Sequence, residues 1–325
     1  MNDRVTKPRF ARIISNLYQS QIVKTIFALF LMCLLLTISR PNTFFTVKNM
    51  FNVLRQASVN SLIVCGITFV LITGGIDLSV GSVAGFTSLI TAIAIKSDVN
   101  VFIAIGLGLG LSLLIGFLSG ALVTWIKVPP FITTLAVMTT FRGVIMVLSG
   151  GQPVTILGDT FGFIGTGYIG IIPFPVILMF LATLVVAYIL KYTKFGRHLY
   201  AVGGNVEAAH LSGVRTSYTT IKAYMFSALF ASIAGMVMAS RVDSATPLAG
   251  DGAELDAIAA AVIGGISLAG GKGNVIGGLI GALIIAVLNN GMVLMDVPVF
   301  YTNVVKGLVI LLAVVVDSLD KIKKQ

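Results

Sequence analysis

The side chains able to do chemistry are few, and their spacing suits none of the common catalytic arrangements. Both histidines, His198 and His210, fall in one charged stretch between apolar segments, leaving no histidine inside those segments to activate a serine. Cys33 and Cys65 lie in apolar runs without a second ligand nearby, the setting of a small buried hydrophobe rather than of a metal site or a disulfide framework. Gly270-Gly271-Lys272-Gly273 has the outline of a phosphate loop, but that motif needs Gly where Ile266 stands and Ser or Thr where Gly273 stands. Gly165-Thr-Gly-Tyr-Ile-Gly170 is a literal GxGxxG with no preceding strand or βαβ context. Acids such as Asp77, Asp159, Asp243, Asp251, Glu254 and Asp256 all fall in tails, loops or helix ends, so none is placed to titrate or to coordinate an ion near a bilayer midplane. The chain is expected to be no enzyme and to bind neither cofactor nor metal.

The elements that carry these residues are membrane helices. Hydrophobic residues make up 57% of the 325-residue chain, charged residues only 10%, and mean hydropathy is +1.02. Such a chain is solvated mainly by lipid. The net charge of +10 comes from Lys and Arg clustered at segment ends and in the tails, which fits orientation in a membrane and argues against nucleic-acid binding. At roughly 20 apolar residues per crossing, there are about ten candidate spans, near residues 22–39, 53–73, 78–96, 100–126, 130–149, 172–190, 222–240, 255–270, 275–295 and 301–317. The third and eighth are glycine-rich enough to be broken or re-entrant, which would lower the count to eight or nine. With ten spans and the N-terminus inside, fourteen basic residues face the cytoplasm and five face out. That predicts an all-α polytopic bundle, N-in and C-in, with tails at 1–21 and 318–325 around a permease-like body at 22–317. The basic start and apolar first run lack a small-x-small cleavage site before Arg40-Pro41, so the first helix is expected to stay uncleaved. Gly81 and Gly85, Gly106 and Gly110, Gly116 and Gly120, and Gly277 and Gly281 each stand four apart, a spacing that lets helix backbones approach closely.

The cytoplasmic loop at 191–221 is the polar island in this chain. Asn205 is a good N-cap, Val206 to Ser212 can make about two turns, and Gly213 can supply the left-handed residue that ends them. A short surface helix with one acid, Glu207, between Arg197 and Arg215 can seat in a partner's groove. Composition alone leaves a plain solvated loop as the alternative.

Glu207-Ala208-Ala209-x3-Gly213 resembles the EAA coupling motif of ABC-importer permeases. Gly75-Ile-Asp-Leu-Ser-Val-Gly81, Tyr200-Ala-Val-Gly-Gly-Asn205 and the block from Glu254 to Gly273 resemble the monosaccharide branch of that family, nearest its ribose-type permeases. The fuller coupling motif ends in Ile-x-Leu-Pro, whereas Ile221 here precedes Lys-Ala-Tyr, so that contact does not carry over. The resemblance implies a homodimer embedded in membrane lipid of the bacterial inner membrane, driven by a cytoplasmic ATPase and fed by an extracytoplasmic sugar-binding protein. The expected cargo is a monosaccharide, ribose first. Arg197, Gly204, Asn205, Glu207, Ala208, Ala209, Gly213 and Arg215 would form the ATPase-coupling surface. A neutral sugar needs hydrogen-bonding groups, so Asn60, Thr68, Asp77, Thr134, Thr140, Asn289 and Asn290 are path candidates. Each could instead make an interhelical hydrogen bond worth roughly 0.6 kcal/mol, and Asp77 could cap the third helix. Asp243, Asp251, Glu254 and Asp256 are candidates for docking the binding protein, and Arg142 is expected to face a carbonyl or carboxylate. A secondary active sugar carrier is the alternative, separated by its sensitivity to a protonophore.

Overall fold

A computed structural model describes residues 21–155, 158–298, 301, 302, 304–309, 311, 312 and 315. Both expected tails lie outside these apart from Gln21, as does part of the tenth span. The described chain is mainly helical, and several of its helices start at a side-chain cap. Helix α1 is Gln21–Ser39; α2 is Val47–Ile72, whose N-cap Thr46 accepts a hydrogen bond from the Asn49 amide. Helix α3, Val80–Lys96, is short, and α4, Val101–Thr124, is capped by Asn100 through the Phe102 amide. Helix α5 is Pro130–Ser149, with proline at its first position and Gly150 at φ 60° just past its end.

The longer connections are structured. Strand β1 (Val154–Thr155), helix α6 (Asp159–Thr166), and strands β2 (Tyr168–Ile169) and β3 (Ile172–Pro173) lead into α7 (Phe174–Tyr192). The polar island then gives α8 (Lys194–Gly204) and α9 (Val206–Leu211), followed by α10 (Thr216–Arg241), β4 (Ser244–Ala245), α11 (Ala253–Ile263) and α12 (Val275–Leu294). β1 pairs antiparallel with β4, tying the connection after α5 to the one after α10, and β2 pairs antiparallel with β3.

Seven helices, α1, α2, α4, α5, α7, α10 and α12, are long and apolar enough to cross a membrane. Helix α3 falls just short at 17 residues. The expected eighth span shrinks to the 11 residues of α11; beyond it the chain folds into a loop with Gly265, Gly270, Gly271 and Gly273 at positive φ. Helices α2 and α10 start about six residues before their apolar stretches, because polar residues there extend the helix from its cap without entering hydrocarbon. They form the buried centre with α12, whereas α1 and α5 are mostly exposed.

Three of the four glycine pairs mark close backbone approaches, two of them to other helices and one to the loop before α11. A Cβ on Gly116 or Gly120 would press on α10 at Tyr224, Met225 or Ile221, 2.6–2.7 Å away, and Gly277 and Gly281 abut Gly264 and Ala260. Gly81 and Gly85 abut Gly250 and Ala249. Gly106 and Gly110 face open space, so their spacing marks no contact within this chain.

Candidate translocation cavity and coupling surface

The eleven-residue α11 positions the main cavity. Because α11 is too short to cross, the chain from β4 to its N-terminus dips into the bundle and helps line a cavity of about 620 Å³ between α2, α10 and α12. Asn60, Ser244 and Asn289 line it, and Asn60 Oδ1, Ser244 Oγ and Asn289 Oδ1 are buried without a hydrogen-bond partner. A buried polar atom left unpaired costs about 1–3 kcal/mol, so three of them around one space mark a place where a hydroxylated solute can bind. Arg241 lines the cavity too and donates to Asn52 Oδ1 at 3.2 Å. Nearby, Arg55 donates to the Tyr168 hydroxyl and lies 4.9 Å over its ring. Nothing in this lining is a nucleophile paired with a base, and the described residues hold no group of three metal-ligating side chains. Asp251 and Asp256 line it as well, so the cavity offers hydrogen bonding and charge but no nucleophile.

Of the seven path candidates, Asn60 and Asn289 reach this cavity. Thr68 is buried and bonds the Val64 carbonyl at 2.6 Å within its own helix. Thr134 donates to Pro130 O at 2.9 Å and Ile76 O at 3.1 Å, joining α5 to the loop after α2. Thr140 lines a separate, apolar recess of about 310 Å³ beside α4. Asn290 makes a reciprocal amide pair with Asn49, at 2.8 and 3.0 Å.

Asp77 is 2% exposed, and its carboxylate accepts from the Ser79 amide, Ser79 Oγ and, across to α10, Ser227 Oγ at 2.7 Å. Ser79 occupies the N-cap position of α3, so Asp77 ties the α2–α3 break to α10. Loop and helix-end positions in the sequence do not keep acids out of the bundle: Asp77 is inside, and so is Glu254. A buried acid therefore exists, and sequence position no longer argues against ion coupling.

The four docking candidates separate in the same way. Asp243 and Asp251 are exposed. Asp256 pairs with Lys306 at 2.8 Å, and Glu254 is 7% exposed, its Oε2 buried without a partner. The re-entry of α11 carries its first turn into protein, so Glu254 offers no face to a soluble partner. A Cβ at Gly81 would overlap the Glu254 carboxylate and lie 3.4 Å from Arg142 Nη2. Arg142 does meet a carbonyl: Nη1 donates to Ala249 O at 2.7 Å, and Nη2 stands 3.8 Å from Asp251. It clamps the re-entrant segment to α5, a role sequence alone signals only by the oddity of an arginine inside an apolar helix.

The island forms the second part of the site. Asn205 Oδ1 accepts from the Ala208 amide at 2.9 Å. At the other end, Gly213 at φ 83° and Val214 donate back to His210 O and Ala209 O, the paired bonds of a Schellman stop. Arg197, Gly204, Asn205, Glu207, Ala208, Gly213 and Arg215 are exposed, and Ala209 is buried as the seat of the short helix. Val206 and Leu211 flank Glu207 and are exposed too, Leu211 at 82%. Apolar side chains so displayed are typical of an unfilled contact surface.

Backbone contact joins the two parts. A Cβ on Gly203 would collide with Ile72 O and the Gly271 amide, while Gly271 N donates to Ile72 O at 2.9 Å. The Tyr200 hydroxyl donates to Gly273 O at 2.8 Å; burial pushes its phenol above the usual range and keeps it a donor. The end of α8 thus rests on the 264–274 loop, which continues α11, whose other end borders the cavity.

A model of the family described as "Branched-chain amino acid transport system / permease component" matches residues 49–314. The chain belongs to this family. It is 46% identical to the ribose import permease of Bacillus subtilis over 89% of its length and 90% of that protein. It is 44% identical to the ribose import permease of Escherichia coli, over 91% of its length and 93% of that protein. With the xylose transport permease of Haemophilus influenzae it shares 34% identity over 88% of its length and 93% of that protein. No solved structure matches the chain. As a permease component with seven crossing-length helices, it is a multi-pass transport subunit of the inner membrane.

Proposed function

We propose that this chain is the permease of an ABC importer that carries a monosaccharide, ribose first, into the cell. The observation that carries the reading is the cavity lined by three unpartnered neutral groups and joined through α11 to an exposed two-turn helix. The three unpartnered neutral groups suit a hydroxylated solute; because Arg241, Asp251 and Asp256 line the same cavity, the choice of a sugar over an amino acid rests on the likeness to ribose permeases. Higher identity to ribose than to xylose permeases favours ribose.

In this reading the chain works as a homodimer, with an ATPase subunit clamped on α8 and α9 and a sugar-binding protein on the opposite face. ATP hydrolysis belongs to the ATPase. We keep ten crossings, N-in and C-in, as part of this reading; the seven long helices among the described residues support seven of them. Closure of the ATPase pushes the Asn205–Gly213 helix; α8 then moves the 264–274 loop, and α11 shifts the lining of the cavity. The bundle rocks as a body, the usual form of alternating access.

The test is labelled ribose uptake in cells lacking this chain, restored with wild type or with Glu207→Arg, each with a protonophore that leaves ATP intact. Wild-type uptake that survives the protonophore supports ATP drive; collapse would turn attention to Asp77 and a secondary carrier. Glu207→Arg should leave the permease in the membrane and abolish uptake, and normal uptake in that variant would sink the coupling role.

A further inference from the structure

A second groove, unconnected with the cavity, lies where α7 ends and α10 begins. It encloses about 470 Å³ among α4, α7, α8 and α10, within the range of about 300–1,000 Å³ usual for small-ligand sites. Leu113, Ile189 and Met225 form its sides. Its back is an aromatic stack: Phe226 lies 5.6 Å from Phe195, and both rest on the fully buried Phe69, at 5.0 and 6.0 Å. Stacked rings buried on one side hold a slot open rather than letting it collapse.

Only one charged side chain lines this slot. Lys222 is exposed and in no ion pair among the described residues. The Thr193 hydroxyl is already committed, donating to Ile189 O at 2.6 Å and accepting from the Gly196 amide. Lys191 and Lys194 flank Thr193 in the chain and are also exposed and unpaired among the described residues. Lys191 stands 5.2 Å over the Tyr192 ring, which packs 5.5 Å from Tyr188. Basic and aromatic residues together at a helix end mark the level of lipid headgroups. Below them Leu114, Leu118 and Leu184 are exposed, so the groove lies beside a lipid-facing wall.

An apolar slot at headgroup depth with an unpaired ammonium at its rim has one complementary occupant among membrane components. We propose that the groove binds an anionic phospholipid, with an acyl chain against Leu113, Met225 and Phe226 and the headgroup phosphate on Lys222. A zwitterionic lipid fits the slot but does not neutralise the lysines. A second copy of the chain would have to bring an acid to the same place. Because Phe195 belongs to α8, the lipid would also fasten the mounting of the island to α10.

The experiment uses the full chain in phosphatidylcholine nanodiscs carrying a trace of photoactivatable phosphatidylglycerol, or the matching phosphatidylcholine, with labelled peptides mapped by mass spectrometry. Phosphatidylglycerol should label peptides holding Leu113 and Met225. Lys222→Gln should lower that labelling about fivefold, the effect of removing one lysine near an anionic surface, and Lys222→Arg should keep it. Leu113→Trp, which fills the slot and spares the charge, should block labelling in protein that still elutes as a single species. Equal labelling by both lipids, or undiminished labelling in Lys222→Gln or Leu113→Trp, would overturn the proposal. So would competition by free glycerol phosphate, or labelling that disappears as the chain dimerises.

Discussion

Replacing Gly203 by alanine tests whether the island rests on the loops that lead to the cavity. The new methyl would sit inside the Ile72 carbonyl, 2.9 Å from its carbon, with the Gly271 amide on the other side. Both obstacles are backbone, so no side chain can swing away. Overpacking of this kind costs about 1–3 kcal/mol, and the displaced Ile72 carbonyl puts the bond from Gly271 at risk, worth about 0.5–1.5 kcal/mol. Gly204, the next residue of the same helix, has nothing within 4 Å of its Cβ position, so alanine there should gain up to about 1 kcal/mol from helix propensity alone. The two neighbouring substitutions should thus differ by about 1.5–5.5 kcal/mol on these figures. Cys65 is fully buried, so in a Cys33→Ser background its reaction with a fluorogenic thiol reagent during heating reports unfolding in detergent. Gly203→Ala should release Cys65 at clearly lower temperature than wild type, and Gly204→Ala at the same or higher temperature. Coincident curves for the two variants would show that α8 does not bear on Ile72 and Gly271, and the proposed route from island to cavity would fail with it.

The remaining expectations are local. Asn49→Ala and Asn290→Ala should each cost about 1–3 kcal/mol by stranding a buried amide, while the double variant should cost less than their sum; strict additivity in the same thermal assay would dissolve the pair. Asn289→Leu and Asn60→Leu should cut sugar uptake several-fold at unchanged membrane level, since each removes an unpartnered acceptor facing the cavity; full uptake in both would move the path elsewhere. Arg142→Met should lower both stability and uptake by freeing the Ala249 carbonyl, and Arg142→Lys should restore stability only in part, because one ammonium cannot reach both Ala249 and Asp251 as the guanidinium does. Equal behaviour of Lys and Met at this position would argue against the clamp.

Most of the helical layout was legible because crossing a bilayer demands about 20 apolar residues in a row, and runs of that length cannot hide. The island helix was equally legible, since Asn205 and Gly213 carry their capping chemistry in their own side chains and backbone. What escaped was anything decided by depth. Glu254 reads as the end of an outer loop because an acid beside Asp251 and Asp256 looks solvated. Only the shortness of α11 and the missing Cβ of Gly81 show that it enters protein. Asp77 hid for the same reason, as a loop in the sequence that is interior in space. Ser244 gave no signal at all, being a serine among polar neighbours, and Gly106 and Gly110 gave a false one, since spacing says that a close approach is possible but not whether a partner helix is there.

The broken helix and the clamp are one solution to one problem. Irregular backbone inside a membrane survives only where protein or a wet cavity satisfies its carbonyls and amides, and the lead-in to α11 exposes several at once. Arg142 takes the Ala249 carbonyl, the Gly81–Gly250 contact shields the next peptide, and turn bonds from the Ala249, Asp251 and Ala253 amides to Thr246 O, Leu248 O and Gly250 O satisfy others. This arrangement leaves Glu254 Oε2 and Arg142 Nη2 both buried and both without a hydrogen-bond partner around the same glycine. Nη2 is still held by the 3.8 Å ion pair to Asp251, so the unpaired Glu254 carboxyl is the costly element of this joint. A permease that must alternate between two arrangements of nearly equal free energy gains from such a joint.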